Sequence, residues 1–525
     1  MVSKATKRVL IIAYLAMYVL VYLAFKAAGV MLVIFVSLLF AVAKSKYDRA
    51  LIAMIAGTVT FFIIFFEFVV TPEAHADPDV MPDAYAYQVF VNGLIGNPTD
   101  NYTNLRSLLL VTGMMIIIQI CVQGGLFQIF SFSLIKLTKG NAYALLVAFC
   151  FIAMFITAVF NDILTVILLV PLTIEVCWIL DINPKIYVLL EAIMVKVGAT
   201  MFSISSVSDI MISGSFSVSF SEFFLNIGVY SLITFGVTIF FLLGTYSGKL
   251  QSATKGIDVL LEYKIGSFIP DRKLLAKCIV VLGCVLTLFA LNISFLPADV
   301  VTISGAAVLL FWSNVDMKEL MNKVDFKLIM YLFGIFVVTG GMQATGLIND
   351  IVGLVTLINI KNPLAIVIFA LLISAGLSAF IDNIPITRVL IPIIASLIPE
   401  GTTTSAIRFA VIAMMVFGVN VGDNLTPFGD TLITYNVAEQ NNLHMKPKDF
   451  FEIAFKTTLF QYATLIVIFS LQIDPALGLI FLLSYVIGAI IIIRVFKAKM
   501  PFSFKKLILA FFKALKRRKK PIQVD

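Results

Sequence analysis

The sequence predicts an all-α polytopic membrane protein built from two inverted-topology repeats, each with a re-entrant hairpin and a broken transmembrane helix. Three observations support this fold class. Of the 525 residues, 61% are hydrophobic and only 13% are charged, which is far more apolar than a soluble domain requires. Apolar runs near the ~20 residues that cross a bilayer recur along the chain, giving about twelve crossings and two pairs of shorter apolar segments. The two halves also share one pattern of glycines and polar residues.

Basic residues predict the topology. Those at 4–8 place the N-terminus in the cytoplasm, and the next basic cluster, at 44–49, follows two spans later on the same side. The loop 71–104 is acidic and contains no lysine or arginine, as expected outside. The later basic clusters all lie on the cytoplasmic side if the segments 141–180 and 363–399 do not cross the membrane, so that each enters and leaves it on the same side. We therefore predict two re-entrant hairpins and a multi-pass plasma-membrane protein with both termini cytoplasmic.

Charge and cysteine content exclude several partners. The formal net charge of +8 comes from lysines and arginines in short loops and tails, so it reflects membrane topology and predicts no nucleic acid. The five cysteines show no CxxC or paired spacing and predict neither a disulfide nor a bound metal. The expected partners are the lipid bilayer and a small inorganic ion or small organic anion, with no cofactor beyond Na+ or H+ as the coupling ion.

An internal repeat relates the two halves. Aligning "TAVFNDILTVILLVPL" with "SAFIDNIPITRVLIPI" places Asn161 on Asp382, and this shift in numbering defines the repeat offset. The same offset pairs Pro171 with Pro392, Gly113 with Gly334, Gly125 with Gly346 and Asp209 with Asp430. The span near Gly113 runs inward and the span near Gly334 runs outward on the predicted topology, so the halves are inverted. Inverted repeats with interrupted helices are the recurrent architecture of secondary transporters.

These patterns predict five parts of the chain. Residues 1–27 form an additional N-terminal span, and 473–525 form a C-terminal span with a basic tail that is either an amphipathic helix or an ordinary positive-inside tail. Between them, the predicted parts are repeat 1 at 28–245 (hairpin 141–180, broken helix 186–215), a cytoplasmic linker at 246–274, and repeat 2 at 275–472 (hairpin 363–399, broken helix 406–440).

Polar residues inside the membrane define the candidate site. "VGATMFSISSVSD" at 197–209 and "GVNVGDNLTPFGD" at 418–430 interrupt predicted spans, and interrupted backbone at depth must line a polar cavity. A charge at the bilayer centre costs at least about 2.5–3.5 kcal/mol, so retained acids are expected to be functional. The candidate ion- or substrate-binding residues are Asn161, Asp162, Thr165, Thr200, Ser205, Ser206, Asp209, Asp382, Asn383, Asn420, Asp423, Asn424, Thr426 and Asp430.

Three further charged residues complete the candidate set. Lys196 and Arg388 either hold a substrate anion or neutralise nearby aspartates. With Glu191 counted among the acids, the five candidate aspartates and Glu191 exceed these two cations by a formal four negative charges. This excess favours a cation as the bound ion, and hard oxygen ligands suit Na+ or H+.

The motifs resemble those of the ion transporter superfamily that contains arsenite permeases, NhaD-type sodium/proton antiporters, the P-protein and the divalent anion/sodium symporters. Glu191, Gly198 and Thr200 match the first-half pattern of the P-protein and arsenite permeases. Lys196 stands where that pattern has asparagine, and residues 205–209 replace its Gly-Asp-Pro-Pro-Asn.

The second half also contains motifs that resemble those of this superfamily. "SAFIDNIP" is similar to the family's Asp-Asn-Ile-Pro tip, and Asn424, Thr426 and Gly429 fit its Gly-Asn-Gly-Thr-x-x-Gly. Asp423 and Asp430 stand in for small residues. The resemblance implies a homodimer in which the hairpins and broken helices carry the site across the membrane by an elevator motion.

Three functions are compatible with these residues. The surplus of acids favours a secondary active transporter driven by a Na+ or H+ gradient, with cation/proton antiport as the leading prediction. The alternative is a coupled permease for an anion or oxyanion such as arsenite, phosphate, sulfate or a dicarboxylate, using Lys196 or Arg388. A more distant one is an intramembrane aspartyl hydrolase with paired carboxylates, which leaves the inverted duplication unexplained. We therefore expect a transporter and not an enzyme.

Overall fold

A computed structural model gives the fold. It describes residues 26–42, 48–70, 82–97, 102–160, 162–246, 250, 258, 271–293, 296–398, 405–426 and 431–497. All regular structure in these ranges is helical, and nine helices among them are long and apolar enough to cross a membrane. Residues 1–25 of the predicted N-terminal span, most of the linker and the basic tail lie outside the described residues.

The first half contains ten helices within the described ranges. They are α1 (Lys26–Val42), α2 (Arg49–Val70), α3 (Pro82–Ile95), α4 (Thr103–Gln123), α5 (Leu126–Thr138), α6 (Ala142–Phe160), α7 (Asp162–Ile179), α8 (Lys185–Ala199), α9 (Val207–Ser215) and α10 (Phe220–Tyr246).

The second half follows the same order. Its described helices are α11 (Arg272–Leu291), α12 (Ala298–Ser313), α13 (Met317–Met321), α14 (Phe326–Ala344), α15 (Leu347–Thr356), α16 (Pro363–Ser378), α17 (Asn383–Leu397), α18 (Ser405–Gly422), α19 (Thr431–Gln440), α20 (Pro447–Ile473) and the additional α21 (Pro475–Lys497).

The repeat appears in the backbone at the predicted offset. The paired glycines Gly125 and Gly346 both adopt the left-handed conformation (φ 82° and 77°) at the start of α5 and α15. Glycine is favoured there because it has no Cβ to clash. Asn362 and Asp382 start the arms of the second hairpin by accepting backbone N–H groups of α16 and α17, as helix N-caps do.

The scaffold is formed by helices of one repeat packing against those of the other. Helix α2 packs on α14, and its counterpart α12 packs on α4. The equivalent glycines Gly113 and Gly334 lie in these two contacts. A Cβ at Gly113 would lie 2.8 Å from the carbonyl carbon of Thr302, and one at Gly334 would lie 2.3 Å from that of Ala53. Both glycines therefore permit close approach of the two backbones.

We expect Gly334→Ala to lower the free energy of unfolding by about 1–3 kcal/mol, because the added methyl group overlaps the α2 backbone. The matched control is Gly236→Ala in α10, where a Cβ meets no atom within 4 Å and the change gains up to about 1 kcal/mol of helix propensity. Thermal unfolding of the two purified variants in detergent measures both effects. Equal midpoints for the two would contradict this packing.

The hairpins and broken helices form a second group. Helix α6 packs on α8, and the equivalent α16 packs on α18. The second half of each broken helix crosses to the other repeat, since α19 packs on α7 and α9 packs on α17. The two breaks and the two hairpin tips are thereby brought to one region of the molecule.

Two features differ from the simplest expectation. The arms of the first hairpin have 19 and 18 residues, and those of the second have 16 and 15. The first pair is therefore long enough to cross the membrane, and re-entry stays a prediction from the charge pattern.

The predicted outer loop 71–104 contains the 14-residue helix α3. Helix α3 packs on α14 where Gly93 meets Gly340. The polar residues Asp83, Gln88 and Asn92 interrupt the apolar run of α3, so its sequence does not predict a transmembrane span.

Candidate functional site: a polar cradle between the repeats

Both predicted helix breaks are present. Helix α8 ends at Ala199 and α9 begins at Val207, with the Ser206 hydroxyl accepting the Ser208 backbone N–H at 3.2 Å. Helix α18 ends at Gly422 and continues as one 3-10 turn, Asp423–Leu425. Asp430, like Asn161 at the first hairpin tip, lies outside the described residues. Each break leaves backbone groups that must be satisfied by side chains or a bound ion.

A hydroxyl side chain joins each break to its own hairpin tip. Ser205 donates a hydrogen bond to the carbonyl of Ala158 at 2.7 Å. Thr426 donates one to the carbonyl of Ala379. The repeat offset pairs the two donors with each other and the two acceptors with each other. The two repeats therefore hold tip and break in the same way.

One buried lysine links the two repeats. The Lys196 ammonium nitrogen lies 2.8 Å from Asp162 Oδ2 and 2.8 Å from Asp423 Oδ2. The side chains of Lys196 and Asp423 are 6% and 1% exposed. Asn383 Nδ2 donates to the same Asp423 oxygen at 3.1 Å. Asp162 and Lys196 belong to repeat 1, and Asn383 and Asp423 belong to repeat 2, so the Lys196–Asp423 ion pair crosses the repeat boundary. We call these four side chains the cradle.

Ser378 supports the cradle from the first arm of hairpin 2. Its hydroxyl oxygen lies 2.8 Å from Asn383 Oδ1, 2.5 Å from the Val419 carbonyl oxygen and 3.4 Å from Asp423 Oδ1. A hydroxyl has one proton, so it donates to one of these acceptors at a time. Ser378 was not among the site residues predicted from the sequence, although the repeat offset pairs it with Thr157.

A second cross-repeat contact joins Asp209 and Asn420. Asn420 Nδ2 donates to Asp209 Oδ1 at 2.8 Å, and both residues are fully buried. The other oxygens of this pair, Asp209 Oδ2 and Asn420 Oδ1, are buried without a hydrogen-bond partner among the described residues, as are Asn424 Oδ1 and Ser208 Oγ. Unsatisfied buried acceptors are rare and call for a proton, a water or a cation.

Three other predicted residues of repeat 1 are buried. Glu191 Oε1 accepts the Thr173 hydroxyl at 2.6 Å, which places Glu191 against the second arm of hairpin 1. The Thr200 and Ser231 hydroxyls lie 2.8 Å apart, and Thr165 is buried in α7.

Arg388 lies elsewhere in the site region. It lines a cavity of about 780 Å³ together with Ser203 and Ile204 of the first break, and its guanidinium carbon lies 5.9 Å from the Phe336 ring centroid. The ends of α4, α12 and α14 that border this cavity are those that the charge pattern assigns to the outside. A pocket of about 10 Å³ lies beside the cradle, lined by Asp162, Lys196 and Thr434, with room for one water-sized occupant.

Asp382 at the second hairpin tip has a partner on the scaffold. Its Oδ2 lies 3.3 Å from Arg49 Nη1, at the start of α2. The Arg49 guanidinium also lies 5.5 Å from the ring centroid of Tyr331 on α14. In the sequence, Arg49 is recognisable only as a topology signal.

A polytopic helical fold of two repeats meeting at a buried ionic cradle defines a membrane transporter. The chain belongs to the citrate transporter family, whose model matches residues 38–416. An uncharacterized transporter of Mycobacterium tuberculosis is 25% identical over 323 residues, covering 61% of this chain and 74% of the relative. The human P protein is 24% identical over 439 residues, covering 67% of this chain, which spans about half (52%) of that protein. The family and its transporter relatives agree with the prediction that this protein is not an enzyme.

Two solved structures share the fold. The YdaH transporter of Alcanivorax borkumensis, described as having an unusual topology, aligns with a TM-score of 0.52 at 12% identity, covering 81% of this chain and 98% of its own. MtrF of Neisseria gonorrhoeae, described within a class of antimetabolite efflux pumps, aligns with a TM-score of 0.52 at 13% identity, covering 84% and 97%. At identities this low, the structural similarity supports the fold alone and does not identify the substrate.

Proposed function

We propose that this transporter exchanges a monovalent cation for a proton across the membrane. The observation that carries the proposal is Lys196, held at 2.8 Å from both Asp162 and Asp423 in a buried setting. A cation entering this cradle competes with the lysine ammonium for the same two carboxylates. A cation bound by these carboxylates lies close to the lysine ammonium, and the repulsion between the two positive charges in a low-dielectric site favours release of the lysine proton.

The balance of charge supports exchange over co-transport. Before binding, the cradle holds two carboxylates and one ammonium. After binding, it holds two carboxylates, one cation and a neutral amine, which has the same net charge. One cation therefore replaces one proton, and the two are carried in opposite directions if the loaded forms cross the membrane separately.

The buried oxygens of Asp209, Asn420 and Asn424 extend the acceptor set. Carboxylate and carboxamide oxygens are the ligands that hard cations prefer. The water-sized pocket beside Lys196 admits a dehydrated Na+ or Li+ more readily than an organic cation.

The proposed movement is an elevator motion of the hairpins and broken helices against the scaffold, within a homodimer in the plasma membrane. It is supported by the strongest helix contacts, which join α2 with α14 and α4 with α12 in the scaffold, and α6 with α8 and α16 with α18 in the other group, while α4 contacts α9 and α14 contacts α17 across the boundary. The resemblance to the superfamily implies the same motion. Light scattering on the purified protein tests the dimer.

The test is proton flux in proteoliposomes that contain a pH-sensitive dye. An outward gradient of Na+ or Li+ is expected to drive protons inward, and choline chloride at equal ionic strength is not. Asp209→Asn serves as the loss-of-function variant. An absence of proton movement under Na+, Li+ and K+ gradients, with uptake of another solute intact, would refute antiport.

A second candidate function is a Na+- or H+-coupled anion permease. It is favoured by Arg388 in the cavity of about 780 Å³ and by membership of the citrate transporter family. Uptake of radiolabelled citrate, phosphate, sulfate and arsenite by the same vesicles tests it, with Arg388→Glu as the diagnostic variant. Uptake that survives charge reversal would exclude this use of Arg388.

A further inference from the structure

The two hairpin tips obtain positive charge from different parts of the molecule. Asp162 at tip 1 pairs with Lys196 on α8, which belongs to the group of hairpins and broken helices. Asp382 at tip 2 pairs with Arg49 on α2, which belongs to the scaffold. Lys196 thus accompanies its carboxylate in any motion between the two groups, whereas Arg49 does not accompany Asp382.

Arg49 belongs to the scaffold, at the start of α2. The preceding residue, Asp48, lies 2.6 Å from Lys327 Nζ on α14, so the start of α2 is tied to α14. The Arg49 guanidinium faces the Tyr331 ring of the same helix. On the carboxylate side, Asp382 Oδ1 accepts the Ile384 N–H at 3.0 Å, and Oδ2 lies 3.3 Å from Arg49 Nη1.

We propose that Arg49 is a state-dependent gate on tip 2: its guanidinium occupies the Asp382 carboxylate in this conformation and excludes Na+ from it. The proposal deepens the proposed function and rests on its motion between the two groups of helices. When tip 2 moves away from α2, the carboxylate exchanges Arg49 for Na+. Cation binding then becomes possible at Asp382 only in the conformation in which the gate is open.

The physical basis is competition for one carboxylate. Asp382 and Arg49 are 12% and 29% exposed, so their pairing is less screened than that of surface ions. A ligand that binds only the unpaired carboxylate has its apparent affinity reduced by the fraction of molecules in which the pair is closed. Removing the guanidinium removes this reduction and should make Na+ bind at lower concentration.

The experiment measures Na+ binding to the purified full-length protein without transport. Thermal unfolding midpoints are recorded against NaCl, with choline chloride holding ionic strength constant. Arg49→Ala is expected to shift the half-saturating Na+ concentration at least about threefold downward, and Arg49→Lys to stay near wild type. The matched control is Arg106→Ala, which breaks another scaffold arginine–aspartate pair, to Asp299 at 3.1 Å, and should leave the Na+ dependence unchanged.

A double variant, Arg49→Ala with Asp382→Asn, should lose the gain, because the released carboxylate is absent. Equal half-saturation in wild type and Arg49→Ala, or a gain that persists in the double variant, overturns the gate. A protein with no Na+ response in any variant overturns it as well. Absence of cation-driven proton flux in liposomes with the Arg49→Ala shift intact would instead refute antiport and leave the gate standing.

Discussion

Lys196→Met is expected to abolish cation-driven proton flux and to lower the free energy of unfolding by about 3–5 kcal/mol. Removing one member of a buried ionic group leaves its partners uncompensated, and that cost is of this size. Here two carboxylates, Asp162 and Asp423, lose the ammonium that lies 2.8 Å from each. Thermal unfolding and proteoliposome flux measure the two effects separately.

The matched control for this change lies on the same helix. Lys185 begins α8 and pairs with Asp449 at 2.6 Å, but these side chains are 37% and 33% exposed. Lys185→Met should therefore cost less than about 1 kcal/mol and leave flux intact. Adding Asp423→Asn to Lys196→Met should recover part of the lost stability without restoring flux. Flux at wild-type level in Lys196→Met would mean that the cradle is structural.

Asp423→Asn is expected to keep the fold and to weaken cation binding about 10–100-fold. The carboxamide preserves shape and can still accept from Asn383, while Lys196 keeps its pair with Asp162. What is lost is one charged ligand, and hydrogen bonds to charged groups contribute about 1.5–3 kcal/mol, which corresponds to that change in affinity. The half-saturating Na+ or Li+ concentration for proton flux measures it.

Asp299→Asn is the control for Asp423→Asn. Asp299 is also a buried acid with an ion-pair partner, Arg106, but it lies on the scaffold helix α12, outside the cradle. Its replacement should leave cation affinity unchanged. If both variants weaken binding equally, the loss reflects general damage to the protein and not the removal of a ligand.

Much of the fold can be predicted from the sequence because the repeat depends on local patterns. Asp209 lies in the first turn of α9, directly after a helix break that a run of polar residues indicates, and the glycines at 125 and 346 mark the same turn in each half. Apolar runs and basic clusters define spans and sides without knowledge of packing. Helix α3 was not predicted because its polar residues resemble those of a loop, although α14 covers one of its faces.

The site was predictable as a set of residues and not as a set of contacts. Composition indicated four excess negative charges, but it could not tell that Lys196 lies between Asp162 of its own repeat and Asp423 of the other. Nor could it pair Asp382 with Arg49, because these residues lie in opposite halves of the chain. Such pairings depend on how the repeats cross, and only the packed helices determine that.

Cation-linked proton release from the wild-type protein tests the central claim most directly. Purified protein in weakly buffered detergent solution is titrated with NaCl or LiCl while proton release is followed by a pH indicator. Competition between the cation and the Lys196 ammonium predicts about one proton released for each protein molecule at saturation, in agreement with the charge balance of the cradle. Saturable binding of Na+ or Li+ with no proton release would contradict the account.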